Sequence, residues 1–146
     1  MTARISLRTA LFALPVMGFL ALPALAAAPT VIQVNLDNMG KDQTLKFSPT
    51  SVPAGKVKFE VTNDSMDSEH EMIVVKTKLK PSEFPMNKDG SRVLENKFKG
   101  AEEVSELKPG AKGELEMTLK PGHYVLFCNI KNHFKGGMYG ELTVTN

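Results

Sequence analysis

The chain has 146 residues, of which 18 are Lys or Arg and 16 are Asp or Glu, and it contains a single cysteine. This length suits one domain with one hydrophobic core. The near balance of charge excludes a strongly basic surface of the nucleic-acid-binding kind, and the single cysteine excludes a disulfide within the chain.

The N-terminus has the layout of a secretory signal peptide. Arg4 and Arg8 precede an apolar run over residues 10–22, and a stretch of small residues follows the run. An uncleaved membrane anchor is the alternative. We favour cleavage because the run is short for a span of roughly 20 residues, and because Pro15 and Pro23 break it.

The predicted cleavage site follows Ala26. Ala28 is less favoured because cleavage there would leave a proline at the new N-terminus. Residues 1–26 are then the signal peptide, and residues 27–146 form a single exported, periplasmic domain without a membrane span. Removal of two arginines with the signal leaves 16 basic and 16 acidic residues, so no nucleic-acid partner is expected.

Alternation of apolar and polar residues predicts short, half-buried β-strands along the mature chain. Pro-Gly and related turn signals at residues 53–55, 109–110 and 121–122 separate them. The pattern predicts an all-β fold, an antiparallel sandwich or barrel of about seven or eight strands. The strand candidates are residues 31–34, 44–47, 56–62, 72–75, 114–119, 124–127 and 141–145.

Residues 77–105 interrupt this pattern. The segment is rich in Lys, Pro, Asp and Gly. We interpret it as a long excursion on the outside of the domain, with a helical turn near residues 100–106. A surface for a partner is one role that such a segment could have.

The lone cysteine, Cys128, poses a chemical question in an exported protein. Cysteines in oxidising compartments normally pair as disulfides, and Cys128 has no partner in the chain. A buried thiol that packs as a small hydrophobic side chain is one explanation, and a metal-bound thiolate is another. The neighbouring residues decide between them.

Strand geometry sorts the histidines. His123 lies five residues before Cys128, about 16 Å away along an extended strand and on the opposite face, so we interpret it as a surface residue. His133 lies in the loop that follows Cys128. The pair at residues 136–137 is Gly-Gly, which lets the loop curl back, and Met138 can therefore converge with Cys128 and His133.

His70 completes the set from a distant part of the chain. It precedes a strand candidate and follows a polar stretch, a position from which it can reach another loop at the same end of a sandwich. His70, Cys128, His133 and Met138 offer two imidazoles, one thiolate and one thioether. This is the donor set of a blue-copper site, in which the thioether is a weak axial ligand. Zinc is disfavoured because methionine is a poor zinc ligand.

The stretch PGHYVLFCNIKNHFKGGMYGELTV resembles the C-terminal copper loop of the cupredoxins, and the likeness extends back through His70 over most of the mature chain. The Cys-x4-His-x4-Met spacing is similar to that of the rusticyanin and auracyanin members; azurin shares the first gap and plastocyanin the second. The resemblance implies an eight-stranded Greek-key sandwich with one type 1 copper per chain. It also implies one-electron transfer between redox proteins rather than an enzymatic reaction.

By the same resemblance, the ring edge of His133 reaches the surface and is the electron port. The residues that frame it are Ile130, Phe134 and Gly136. Lys131 and Lys135 beside the port favour a partner with an acidic docking face, such as a cytochrome or a copper enzyme. The protein is expected to be a monomer.

Two departures from the family pattern matter. Many members have Pro-Gly before the loop histidine, where this chain has Lys131 and Asn132, and Asn132 is expected to take the left-handed conformation that Gly would supply. Many members also have Asn after the first histidine and Ser or Thr after the cysteine, where this chain has Glu71 and Asn129. We therefore expect the Asn129 amide to hold the His70 loop, the reverse of the usual inter-loop hydrogen bond.

Other interpretations stay open. A periplasmic copper carrier or copper-homeostasis protein would use the same ligands for delivery, although the chain lacks clustered Met or His tracts. A copper enzyme needs a second copper site built mainly from histidines, which three histidines cannot supply. A structural β-domain could contain the same residues without a metal. Met66 competes with Met138 as the axial ligand, whereas Met72 and Met117 lie in strand patterns and suit the core.

Overall fold

The computed structural model describes residues 28–39 and 42–146. Within these residues the helices are two short 3-10 turns, Pro81–Glu83 and Glu95–Lys97, and no helix is long and apolar enough to cross a lipid bilayer. The predicted signal peptide, residues 1–26, lies outside the described residues. The strands are β1 (Thr30–Met39), β2 (Asp42–Ser48), β3 (Ser51–Pro53), β4 (Gly55–Asn63), β5 (His70–Lys76), β6 (Glu102–Leu107), β7 (Lys112–Leu119), β8 (Gly122–Phe127) and β9 (Tyr139–Thr145).

The strands form two sheets, with orders β2-β1-β4-β7 and β3-β9-β8-β5-β6. The predicted all-β sandwich is confirmed, and every strand candidate lies within an observed strand. The expectation of a purely antiparallel arrangement is wrong, because β1 pairs with β4, and β3 with β9, in parallel. Alternation predicts which face a side chain occupies, but it does not predict the direction of the neighbouring strand.

The main core lies between the two sheets and follows the period-two pattern. In β4, Val57, Phe59 and Val61 are buried, and the residues between them are partly exposed. Full burial of each such side chain contributes about 1.5–3 kcal/mol. Cys128 and Met138 belong to the same core cluster. The thiol is therefore packed into the end of the main core.

A second, smaller core lies on the outer side of the second sheet. Residues 77–101, here called the outer segment, contribute to it, and β5 is consequently buried on both faces. The predicted excursion is thus a packed layer of the fold. The buried residues of this core are Ile73, Val75, Phe84, Val93, Val125, Phe127 and Phe134.

The expected helical turn near residues 100–106 is wrong. Glu102–Leu107 forms β6, which pairs antiparallel with β5 and occupies the edge of the second sheet. Val104 is the single buried residue of this strand, so the alternation is too weak to recognise in the sequence. Pairing along β5 satisfies backbone groups that an uncovered strand edge would expose.

Candidate metal centre

Two antiparallel strands bring the ends of the C-terminal loop together. Phe127, the last residue of β8, faces Tyr139, the first residue of β9. The loop between them, residues 128–138, is here called the metal loop. Its first and last residues are joined, because the Cys128 N–H donates to the Met138 carbonyl oxygen at 3.1 Å. The Met138 N–H in turn donates to the His133 carbonyl oxygen at 3.1 Å.

Three of the predicted ligands lie close together at this end of the sandwich. His70 Nδ1 lies 3.2 Å from His133 Nδ1, and Cys128 Sγ lies 3.4 Å from the same His133 nitrogen. One ligand atom from each of the three residues lies within 4.8 Å of the others. His70 and Cys128 are fully buried, whereas His133 is half-buried. The structure therefore brings a thiol and two imidazoles from distant parts of the chain to one point.

Met138 is also fully buried, in the same core cluster as Cys128. Its backbone contacts with Cys128 and His133 keep it at the base of the metal loop. Met66, the competing thioether, is 95% exposed. Met72 is buried in the main core, and Met117 is partly buried and packs against that core. Burial thus favours Met138 over Met66 as a fourth donor.

The donor set suits a soft metal ion. Two unprotonated imidazole nitrogens that face each other at 3.2 Å repel unless a proton or a cation lies between them. Burial, with a contribution from the charge of His133, lowers the pKa of His70 to about 4, and burial also lowers the pKa of His133. Both rings are therefore neutral at pH 7, the form that binds metals. One sulfur and two imidazole nitrogens are ligands that copper accepts in both oxidation states.

The Cys128 thiol needs a cation to ionise. Burial raises its pKa to about 11, although the backbone N–H groups of Glu71 and Ile130 oppose the rise by hydrogen bonding to the sulfur. The Glu71 N–H donates to Sγ at 3.5 Å. A metal bound to the sulfur would displace the thiol proton at neutral pH. The His70 Nε2 atom is also buried and has no hydrogen-bond partner among the described residues.

The expected role of the Asn129 amide is wrong. The bond between the two ligand-bearing loops is made by the Glu71 carboxylate, which accepts the Asn129 backbone N–H at 3.0 Å. The Asn129 side chain points instead to the outer segment, where it bonds Val93 and Glu95. The side chain of Glu71 is long enough to reach the backbone of the metal loop, which leaves the Asn129 amide free to bond elsewhere.

Glu71 is a buried carboxyl group. Burial raises its pKa to about 7, and the negative charges of Glu95, Glu106 and Glu103 add to the rise, whereas the Asn129 N–H opposes it. The metal end of the sandwich therefore contains an acid whose ionisation the fold disfavours.

The backbone of the metal loop takes the turn that the sequence predicts. Asn132 has φ 70°, so the left-handed conformation expected of it is confirmed, and Gly137 has φ 96°. Lys131 and Lys135 are exposed, as expected of surface lysines. Phe134 does not lie on the rim of His133, because it is buried against Phe84, with the two rings stacked at 5.3 Å.

His123 lies apart from this cluster, at the opposite end of β8. Its Nε2 atom pairs with the Glu141 carboxylate at 2.7 Å, and its Nδ1 atom lies 3.0 Å from the Thr77 carbonyl oxygen. Both ring nitrogens therefore have partners. This position agrees with the interpretation of His123 as a residue outside the metal site.

Sequence reasoning missed the contacts that the outer segment makes with the metal loop. The Arg92 guanidinium donates to the Asn129 carbonyl oxygen at 2.8 Å, and the Asn132 N–H donates to the Ser91 carbonyl oxygen at 2.8 Å. No periodic pattern marks residues 91 and 92 as neighbours of the loop. The one available signal is Asn129 itself, a polar residue that directly follows the core cysteine.

Two solved structures of other proteins share this fold. Auracyanin A, a "blue" copper protein from Chloroflexus aurantiacus, matches with a TM-score of 0.55 and 21% identity over 81% of this chain and 100% of its own. Rusticyanin from Thiobacillus ferrooxidans matches with a TM-score of 0.58 and 12% identity over 81% of this chain and 79% of its own. At these identities the likeness establishes the fold alone.

A curated relative is similar over a shorter stretch. Multicopper oxidase mco of Staphylococcus epidermidis is 39% identical over 50 residues, which is 34% of this chain and 11% of the oxidase. The chain thus spans about a tenth of the length of this relative.

One family model matches nearly the whole chain. The model described as the sulfocyanin (SoxE) domain matches residues 15–146. Cupredoxins bind copper, and His70, Cys128 and His133 are positioned as a possible metal site. The chain belongs to the sulfocyanin (SoxE) domain family of cupredoxins.

Proposed function

We propose that this protein is an exported one-electron carrier that holds a single type 1 copper through His70, Cys128, His133 and Met138. The main support for the proposal is that three donor atoms lie close together. His133 Nδ1 lies 3.4 Å from Cys128 Sγ and 3.2 Å from His70 Nδ1. The burial of Met138 beside this group supports the thioether as the fourth donor.

Copper in such a site supplies a Cu(II)/Cu(I) couple that accepts and releases one electron. The chain contributes positions that are set before the metal binds. His70 begins β5, Cys128 follows β8, and backbone hydrogen bonds join residues 128, 133 and 138. Ligands held in this way rearrange little when the charge of the metal changes, which favours rapid electron transfer.

We place the electron port at His133, the half-buried member of the set. A surface hollow beside it is lined by Ser68, Glu69, Arg92, Glu106 and Ile130. Arg92, Lys131 and Lys135 are exposed near this residue, which supports a redox protein with an acidic docking face as the partner. Replacing both lysines with glutamine should slow association with such a partner and reduce its dependence on ionic strength.

Addition of Cu(II) to the purified metal-free protein tests the proposal. An electron carrier should develop an intense visible thiolate-to-copper charge-transfer band that disappears on reduction and returns on oxidation. A copper carrier would stay colourless, bind Cu(I) alone and transfer it to an acceptor chelator. A protein that binds neither ion would contradict both functions.

Export is a separate part of the proposal. The basic, apolar and small-residue layout of residues 1–26 supports cleavage after Ala26. Intact-mass measurement of the exported protein should give the mass of residues 27–146. Recovery of the full-length chain in the membrane fraction would contradict cleavage.

A further inference from the structure

The outer segment contains a compact turn next to the metal loop. The Asn87 side-chain oxygen accepts the N–H groups of Ser91 and Arg92 at 2.9 Å and 3.0 Å. The Asn87 N–H donates back to the Arg92 carbonyl oxygen at 2.9 Å, and Ser91 Oγ donates to Asp89 at 2.7 Å. Residues 87–92 are therefore tied together independently of the metal loop.

This turn binds backbone groups of the metal loop. The Ser91 carbonyl oxygen accepts the Asn132 N–H at 2.8 Å, and the Arg92 guanidinium donates to the Asn129 carbonyl oxygen at 2.8 Å. Asn129 and Asn132 both lie between the predicted ligands Cys128 and His133. The turn thus holds the stretch of chain that sets the separation of those two side chains.

The Asn129 side chain makes the most extensive of these contacts. Its Oδ1 accepts the Val93 N–H at 2.6 Å, and its Nδ2 donates to the Val93 carbonyl oxygen at 3.0 Å and to Glu95 Oε1 at 2.5 Å. Its own N–H is bound by Glu71. Asn129 is 2% exposed, so loss of its side chain would leave buried groups of Val93 without partners.

Apolar packing reinforces the same contact. Phe134, the residue after His133, stacks on Phe84 of the outer segment at 5.3 Å and meets Phe127 edge to face at 5.5 Å. Val93 is buried in the same cluster. The outer segment therefore holds the metal loop on both sides of His133.

We propose that residues 84–95 of the outer segment are a clamp that sets the position of the metal loop. Asn129, in the metal loop, is the main positioning residue on which the clamp acts. Through Asn129 the clamp fixes the chain between Cys128 and His133. The clamp rests on the proposed function only in that the positioned residues are the predicted copper ligands.

Three variants test the clamp. Asn129→Ala removes the direct contacts, and Asn87→Ala loosens the turn through a residue that lies in the outer segment itself. Lys97→Ala, an exposed change on the same segment, is the matched control. Asn129→Ala should shift the charge-transfer band, raise the rate of copper loss and lower the copper affinity about 10- to 100-fold, the range of affinity loss for partners of metal ligands. Asn87→Ala should change these quantities in the same direction by less, and Lys97→Ala should change none of them.

Amide hydrogen exchange of the metal-free protein supplies a readout that does not depend on copper. In the wild type the Asn132 N–H should be protected, because it donates to the Ser91 carbonyl oxygen of the turn. Asn87→Ala should accelerate exchange at Asn132. A failure of the wild type to develop the copper band would contradict the proposed function, and these exchange rates would still test the clamp.

The clamp is overturned if Asn87→Ala leaves the band, the rate of copper loss and the Asn132 exchange unchanged. It is also overturned if Asn132 exchanges at the rate of an unprotected amide in the wild type. If Asn129→Ala does not fold, the Asn87→Ala variant and the wild-type exchange rates decide the question.

Discussion

The two ends of β8 differ in how their polar groups are satisfied. At the N-terminal end, both ring nitrogens of His123 have partners, and the Tyr124 hydroxyl donates to the Lys120 carbonyl oxygen and accepts the Lys120 N–H. At the other end, His70 Nε2 has no partner among the described residues, and two imidazole nitrogens face each other. The first end is complete as a protein structure, whereas the second offers donor atoms to a ligand.

The difference shows how a structural histidine can be told from a ligand. Each of the three histidines is at least half-buried, so burial alone does not separate them. The separation comes from hydrogen bonding, because a buried polar group without a partner costs about 1–3 kcal/mol. At the metal end, a cation bound by the facing Nδ1 atoms of His70 and His133 would remove their mutual repulsion.

The largest expected effect is the loss of the metal site in Cys128→Ser. A hydroxyl of similar size replaces the thiolate, and the charge-transfer band should be absent because it depends on sulfur. Copper affinity should fall by more than about 100-fold, the upper range for partners of ligands. Titration with Cu(II) monitored by visible absorption measures both quantities. A band of normal intensity in this variant would show that Cys128 is not a ligand.

Glu71→Gln should change the pH dependence of stability at the metal end. The folded pKa of Glu71, about 7, lies above its ordinary value of 4.5. The contribution of this group to stability is therefore complete below pH 4.5 and is lost as the pH rises through 7. Gln stays neutral and still accepts the Asn129 N–H, so the variant should be more stable than the wild type at pH 8, by on the order of 3 kcal/mol.

Denaturant unfolding of the two metal-free proteins at pH 4.5 and pH 8 measures this difference. The contributions of His70 and His133 are common to both proteins and cancel in the comparison. Equal stability differences at the two pH values would show that the carboxyl group ionises normally in the fold.

Tyr124→Phe tests the opposite end of β8. The variant removes one hydroxyl and leaves the Lys120 N–H and carbonyl oxygen without their partner, and Lys120 is exposed enough for water to replace it. The free energy of unfolding should fall by about 1 kcal/mol. The copper spectrum should not change, because this end holds none of the predicted ligands. A shifted charge-transfer band would show that the two ends are coupled through β8.

Most of the fold could be predicted because the main core is periodic. Strands such as β4 alternate without interruption, and each lies between a core and a surface. The same reasoning failed for β6, in which Val104 is the single buried residue. It also failed for the outer segment, whose buried Phe84 and Val93 have no regular spacing. A side chain that packs from an irregular loop leaves no period in the sequence.

The meeting of the predicted ligands could be expected from residue types and spacing, because the chain has one cysteine and three histidines and three of the four predicted ligands lie in one loop. The contacts around them could not. The Glu71 carboxylate reaches the backbone of Asn129, and the Asn129 amide reaches Val93. Both contacts depend on the side-chain directions that the packed outer segment imposes. The order of residues in one sequence does not reveal those directions.

The smallest expected effect is that of His123→Ala. The His123–Glu141 pair is partly exposed, with side chains 32% and 52% accessible, and such pairs contribute less than about 1 kcal/mol. Denaturant unfolding of the metal-free variant should reveal a loss of stability of that size. The copper-loaded variant should have the charge-transfer band and the copper affinity of the wild type. His70→Ala, measured in parallel, should lose the band. If His123→Ala weakened copper binding as strongly as His70→Ala, hydrogen-bond satisfaction would not distinguish structural histidines from ligands in this fold.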